Sequence, residues 1–191
     1  EEHIRNYVKD REVFAVAGFS ADPNIAYVIS NRGRDKAAIF EYNVVTRQLG
    51  EIAFEHPLFE ATGVAIERIQ GPKFGDVLGF TYAGPRTSFY PVDPDYASLV
   101  EGLNTALDIK ETPLRVVAPA TGQARTIRYA QDRYFDVVST SDDMNVAVIW
   151  VGGVNDPGQY YFLRNKTELT PLARPFPGVD PATLGTTELT Y

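Results

Sequence analysis

Two short groups invite a chemical reading first: Ser20 with Asp22, and Ser141 with Asp143. A serine near a carboxylate is part of a nucleophilic triad if a histidine base joins it. The chain has two histidines, His3 and His56. His3 lies close to the start. His56 precedes Pro57 at a strand end, where a turn histidine satisfied by local backbone is the expectation. An α/β-hydrolase nucleophile sits in G-x-S-x-G on a strained strand-to-helix turn. That pattern does not occur here, and Gly18-Phe-Ser20 runs on into Ala21-Asp22. No catalytic residue is assigned.

Metal and cofactor chemistry fare no better. Asp142-Asp143 resembles a metal pair, but Asp22 fills the same slot in an earlier copy of the phrase. A repeated Ser-x-Asp ahead of a strand is expected to be turn chemistry, its carboxylate accepting local N–H groups. Gly152-Gly-Val-Asn-Asp156 falls short of a calcium-binding glycine-rich repeat. With no cysteine, disulfides, zinc thiolates and a thiol nucleophile are excluded. Gly71-Pro-Lys-Phe-Gly75 is too sparse for a phosphate loop. Glu51, Glu55, Glu60 and Glu67 are spread along the chain, with no pairing that suits glycoside hydrolysis. Tyr160-Tyr161-Phe162 alternates as a buried strand does, with Tyr161 on the face opposite to its neighbours. No metal, cofactor or ligand-contacting residue is assigned.

Charge narrows the partners. A net charge of −7 argues against nucleic acid, whose phosphates need clustered Lys and Arg. Arg125, Arg128 and Arg133 are scattered and flanked by Asp132 and Asp136, so a solvated face is expected there. The longest apolar stretch, Val146 to Val151, is strand length, so no membrane span is expected. The sequence leaves bacterial cytoplasm and periplasm open as compartments.

The elements behind these residues are organised by repetition. Ser20-Ala-Asp-Pro-Asn-Ile-Ala-Tyr-Val-Ile29 aligns without gaps on Ser141-Asp-Asp-Met-Asn-Val-Ala-Val-Ile-Trp150, an offset of 121 residues. The match extends to Asp35 on Asp156 and Ile39-Phe40 on Tyr160-Tyr161. Each copy reads as four short strands joined by turns, the pattern of a β-propeller blade. A weaker unit lies between them, with strands at Val64 to Ile69, Val77 to Tyr82 and Thr87 to Tyr90. Asp93 as N-cap and Pro94 at the first helical position open one helix. Its apolar stripe is Tyr96, Leu99, Val100, Leu103 and Leu107. Such an insertion is expected on the outside or over an edge. Leu114 to Ala118 and Ala124 to Tyr129 either complete the middle unit or form a hairpin around Pro119 to Gly122.

The predicted fold is therefore all-β, a partial β-propeller of about three four-stranded blades near residues 13–54, 63–129 and 134–172. One helix is inserted near 94–107. Residues 1–173 form the propeller part, and 174–191 a Pro-rich exit segment. Three blades are too few to close a ring of about 4–8.

Val28-Ile-Ser-Asn-Arg-Gly-Arg-Asp35 followed by Ala38-Ile-Phe-Glu-Tyr42 resembles a blade of the N-terminal propeller of prolyl-oligopeptidase-type serine peptidases. So do Phe54-Glu-His-Pro57 and Asp156-Pro-Gly-Gln-Tyr-Tyr-Phe162. The bacterial acylaminoacyl-peptidase and dipeptidyl-aminopeptidase-like enzymes are the most similar subgroup. The resemblance covers roughly residues 13 to 191. Arg174-Pro-Phe-Pro-Gly-Val-Asp-Pro-Ala-Thr-Leu184 and the strand-like Glu188 to Tyr191 resemble the family's passage into its catalytic domain. The segment from Ile109 to Arg133 is longer than the family pattern. The resemblance implies a non-catalytic propeller that gates peptide access to a C-terminal α/β-hydrolase domain of a longer parent. That domain and the parent's peptide substrate are the implied partners. The chain alone is then expected to have no hydrolytic activity. The alternative is a stand-alone binding or scaffolding module. In either case, open blade faces are expected to favour homo-oligomers.

Overall fold

The computed structural model describes residues 12–68, 71–84, 87–117, 124–130, 133–141, 145–153 and 155–185. His3, Asp142, Asp143, the Pro119–Gly122 turn and the Glu188–Tyr191 strand lie outside the described residues. The chain forms two compact units, Glu1–Ala97 with Val116–Arg125 and Ser98–Arg115 with Thr126–Tyr191.

In the first unit, β1 (Phe14–Phe19), β2 (Ile25–Ser30), β3 (Ala38–Asn43) and β4 (Gln48–Phe54) form an antiparallel sheet in sequence order. Ala26, Val28 and Ser30 are buried on one face of β2, alternating with half-buried Ile25, Tyr27 and Ile29 on the other. The period of two sends these sets to opposite faces, so both faces of the strand are covered. A second sheet, β5 (Ala61–Ile66), β6 (Val77–Ala83) and β7 (Thr87–Pro91), packs on the first. Ile39, Ala61 and Phe80 form the buried centre, with Tyr27, Ile29, Phe54 and Val64 against them. The Phe54 and Phe80 rings stack at 4.8 Å. Gly18 lets the sheets approach, because a Cβ there would lie 2.6 Å from Ile66 Cδ1.

The middle unit differs from expectation. It is a three-stranded sheet, not a four-stranded blade spanning 63–129. The chain leaves β7 into α1 (Pro94–Ala106), and β8 (Glu111–Val117) and β9 (Ala124–Ala130) pair as a separate two-stranded sheet. Helix capping intervenes at the point where a fourth strand would follow. Asp93 Oδ1 accepts from Tyr96 N at 2.8 Å, and Lys73 Nζ holds the other carboxylate oxygen at 2.8 Å. The lysine first, then the backbone N–H of Tyr96, holds the Asp93 carboxyl below its ordinary pKa. An ionised cap at a helix N-terminus is favourable.

The second unit is built on β10 (Arg133–Thr140), β11 (Val146–Gly153), β12 (Asp156–Arg164) and β13 (Glu168–Ala173), again antiparallel in sequence order. Leu103, Leu107 and Ile109 pack with Ala147, Ile149, Val151 and Leu163. The Leu99, Leu103 and Leu107 part of the apolar stripe thus covers a face of this sheet and not its edge. Burying this stripe stabilises the unit by roughly 1.5–3 kcal/mol per large side chain.

The repeat holds at the level of backbone hydrogen bonding. Phe14↔Ser30, Val16↔Val28 and Gly18↔Tyr27 recur as Phe135↔Val151, Val137↔Ile149 and Ser139↔Val148. Both copies bulge at the same place, between Val16 and Gly18 and between Val137 and Ser139. The turn bonds repeat as well: Ser20 N to Ile25 O (3.1 Å) becomes Ser141 N to Val146 O (2.8 Å). Val44 N to Asn24 O (2.9 Å) becomes Asn165 N to Asn145 O (2.7 Å). The copies separate in the later hairpins: β11–β12 shifts register between Val151 and Gly153 where β2–β3 does not, and Asn43↔Gln48 is matched by Arg164↔Glu168, one residue shorter.

Candidate ligand-binding cleft

Of the residues that first invite a triad reading, Ser20, Asp22 and Ser141 are occupied by the turns. Asp22 Oδ1 accepts from the backbone N of Asn24 at 2.8 Å and from its side-chain amide at 3.0 Å. Ser20 Oγ accepts from Asp22 N at 3.0 Å. In the second copy Ser141 Oγ accepts from Val146 N at 3.0 Å. These are the local turn bonds that Asp and Ser favour.

His56 is also committed. Its Nδ1 accepts from Leu58 N and Phe59 N, each at 3.1 Å. Its ring stacks on Phe59 at 4.9 Å and on Tyr82 at 4.4 Å. An imidazole that accepts at Nδ1 carries its proton on Nε2 and is neutral. Burial pushes its pKa down to about 4. This is the locally satisfied turn histidine expected from Glu55-His-Pro57. Among the described residues, no group of three or more His, Asp or Glu could hold a metal ion.

A concave site of about 420 Å³ lies within the second unit. Arg133, Asn155, Asp156, Gln159, Tyr161 and Arg174 line it, with Pro157, Gly158, Val179 and Pro181 as the less polar wall. Arg174, Val179 and Pro181, from the chain after β13, form part of the lining. Asp180 Oδ1 accepts from Ala182 N at 3.0 Å and caps a 3₁₀ turn, Pro181–Thr183. The volume falls within the range of small-molecule sites.

Four polar side chains of the cleft are held by neighbours. Arg133 Nη1 donates to Leu107 O at 2.9 Å. Its Nε lies 3.2 Å from Asp156 Oδ2, close enough for an ion pair, but its N–H is not aligned as a hydrogen bond. Asp156 Oδ1 accepts from Gly158 N at 3.0 Å. Gly158 has φ +99°, and a Cβ there would lie 2.4 Å from Trp150 Nε1, so only glycine serves this turn. Gln159 is clamped: its Nε2 donates to Tyr160 O (2.7 Å) and Ala173 O (2.8 Å). Its Oε1 accepts from Arg174 Nε at 3.2 Å. The two terminal nitrogens of Arg174 have no partner among the described residues. Two guanidinium groups and one carboxylate give the cleft a positive character within an acidic chain.

No family model matches this chain, and no curated protein matches it.

The sequence reading placed Arg133 on a solvated face, and the structure corrects this. Arg133 is tied to Leu107 and Asp156, and its Nε is buried. Asp156 was marked by the repeat, but nothing in the repeat joins it to residue 133. The usable signal lay in the departures between copies: Glu12 against Arg133, Arg34 against Asn155 and Ala38 against Gln159. All three of these second-copy residues line the cleft.

Proposed function

We propose that this chain is the non-catalytic propeller portion of a prolyl-oligopeptidase-type serine peptidase, gating peptide access to an α/β-hydrolase domain elsewhere in a longer parent. The observation that carries the reading is the duplicated four-stranded antiparallel meander, whose copies share strand order, the bulge of the first hairpin and two backbone turn bonds. Repeated four-stranded antiparallel units are what a propeller is built from. In the first unit one such sheet packs face to face on its neighbour, as blades do. The assignment to this peptidase family rests on the sequence resemblance.

The test has two arms. Reading the parent open reading frame beyond Tyr191 should find a G-x-S-x-G motif ahead of Asp and His. Assaying the isolated chain against aminoacyl and acyl-peptide substrates should find no turnover. Turnover blocked by a serine-directed inhibitor, or a parent frame without a hydrolase, would overturn the proposal.

A second reading, a stand-alone binding module, is favoured by the Arg133–Arg174 cleft. A reading frame that closes near Tyr191, together with saturable ligand binding by the isolated chain, would decide for it.

A further inference from the structure

Comparison of the two copies locates a charge that the second one lacks. In the first copy, Arg34 from the β2–β3 loop pairs with Glu55, the first residue after β4. The loop residue equivalent to Arg34 in the second copy is Asn155, and the first residue after β13 is Arg174. The acid at the strand exit has become a guanidinium, and the loop partner has lost its charge. Beside them, Ala38, fully buried in the first copy, is replaced by Gln159. Gln159 is half-buried, and a partly buried amide is costly unless it is satisfied. Here the amide is satisfied by three bonds, and the third fixes Arg174 Nε. Its outer nitrogens then keep the fork geometry that matches a carboxylate.

We propose that the cleft binds a carboxylate carried on an apolar stem, as a peptide C-terminus or an acidic side chain presents it. The guest carboxylate takes the role on Arg174 that Glu55 takes on Arg34. Tyr161, Val179 and Pro181 accept the stem. Asp156, held by Gly158 N and facing Arg133, disfavours multiply charged anions such as phosphate. This inference does not depend on the peptidase reading, since it uses only groups within the second unit.

The experiment is an amide NMR titration of the full chain. The probes are N-acetyl-leucine, N-acetyl-leucinamide, the α-amide of N-acetyl-glutamate and inorganic phosphate. N-acetyl-leucine or the glutamate derivative should give saturable shifts at Asn155, Gly158 and Gln159. Which of the two binds more tightly tells a C-terminus from an acidic side chain. The neutral amide should bind at least about tenfold more weakly, because a charge-assisted bond is lost. Two exposed substitutions should leave the amide spectrum native and weaken binding by at least about tenfold. Arg174→Gln removes the fork, and Asn155→Glu supplies an internal acid in its place. The proposal is overturned by any of three results: no saturation by about 10 mM, equal binding of acid and amide or of phosphate, or unchanged affinity in both variants.

Discussion

Acid should loosen the first unit through His56. The imidazole is neutral in the fold, with its pKa pushed down to about 4 by burial from an ordinary value of 6.5. The unfolded chain therefore takes up a proton at His56 as pH falls through 6.5, while the folded chain resists until about 4. The stabilisation is fully present above pH 6.5 and is lost between there and pH 4. The slope is about 1.4 kcal/mol per pH unit and the total up to about 3 kcal/mol. Protonation would also place a hydrogen on Nδ1, where Leu58 N and Phe59 N now donate. His56→Phe keeps a ring between Phe59 and Tyr82 but removes the acceptor. It should cost about 1–3 kcal/mol at neutral pH. It should also show a shallower loss of stability from pH 6.5 to 4, by the slope of one proton. Urea titrations at several pH values, read at amide signals of Ala61 and Phe80, isolate the first unit. A His56 ring signal that titrates near 6.5 would refute the reasoning, as would equal pH slopes in wild type and His56→Phe.

Three further outcomes can be checked with single substitutions or one physical measurement. Gly158→Ala forces a positive φ on a side chain whose Cβ collides with Trp150, so it should destabilise the second unit by about 2 kcal/mol or more and shift the emission of the sole tryptophan. Asp93→Ala should cost about 1 kcal/mol in thermal or urea unfolding, and Asp93→Ser should restore most of it by capping Tyr96 N. Sedimentation at high concentration should show self-association through exposed apolar side chains such as Phe19, Val138 and Leu172, weakened by Val138→Lys.

What the sequence revealed depended on whether a feature was local. The Ser20-x-Asp22 turn and the Asp93 cap are set within a few residues, and each was readable. The repeat was readable because it preserves spacing, and backbone register follows spacing. The break in the middle unit was not readable, since β8 and β9 have strand-like composition whichever sheet they join. The cleft was hidden for a different reason. Arg133, Asp156 and Arg174 are separated in sequence and line one cleft because β10, β11, β12 and β13 pair in order. Charge counting sees three exposed ions there. The fold turns one into a half-buried pair with Asp156 and leaves another with a vacant fork.

The matching bulges of β1 and β10 have a consequence for how the chain reaches its fold. Two strands with the same hydrogen-bond spacing are interchangeable partners as far as the backbone is concerned, so β10 can zip onto β2 during folding. The two pairings differ in one side chain beneath the second sheet. Ser139 would then stand in the slot of Gly18, where a Cβ lies 2.6 Å from the flexible end of Ile66 and 3.0 Å from Val64 Cγ1, so those side chains must shift to admit it. The bare Gly18 therefore favours the correct copy of the phrase by the cost of repacking Ile66 and Val64.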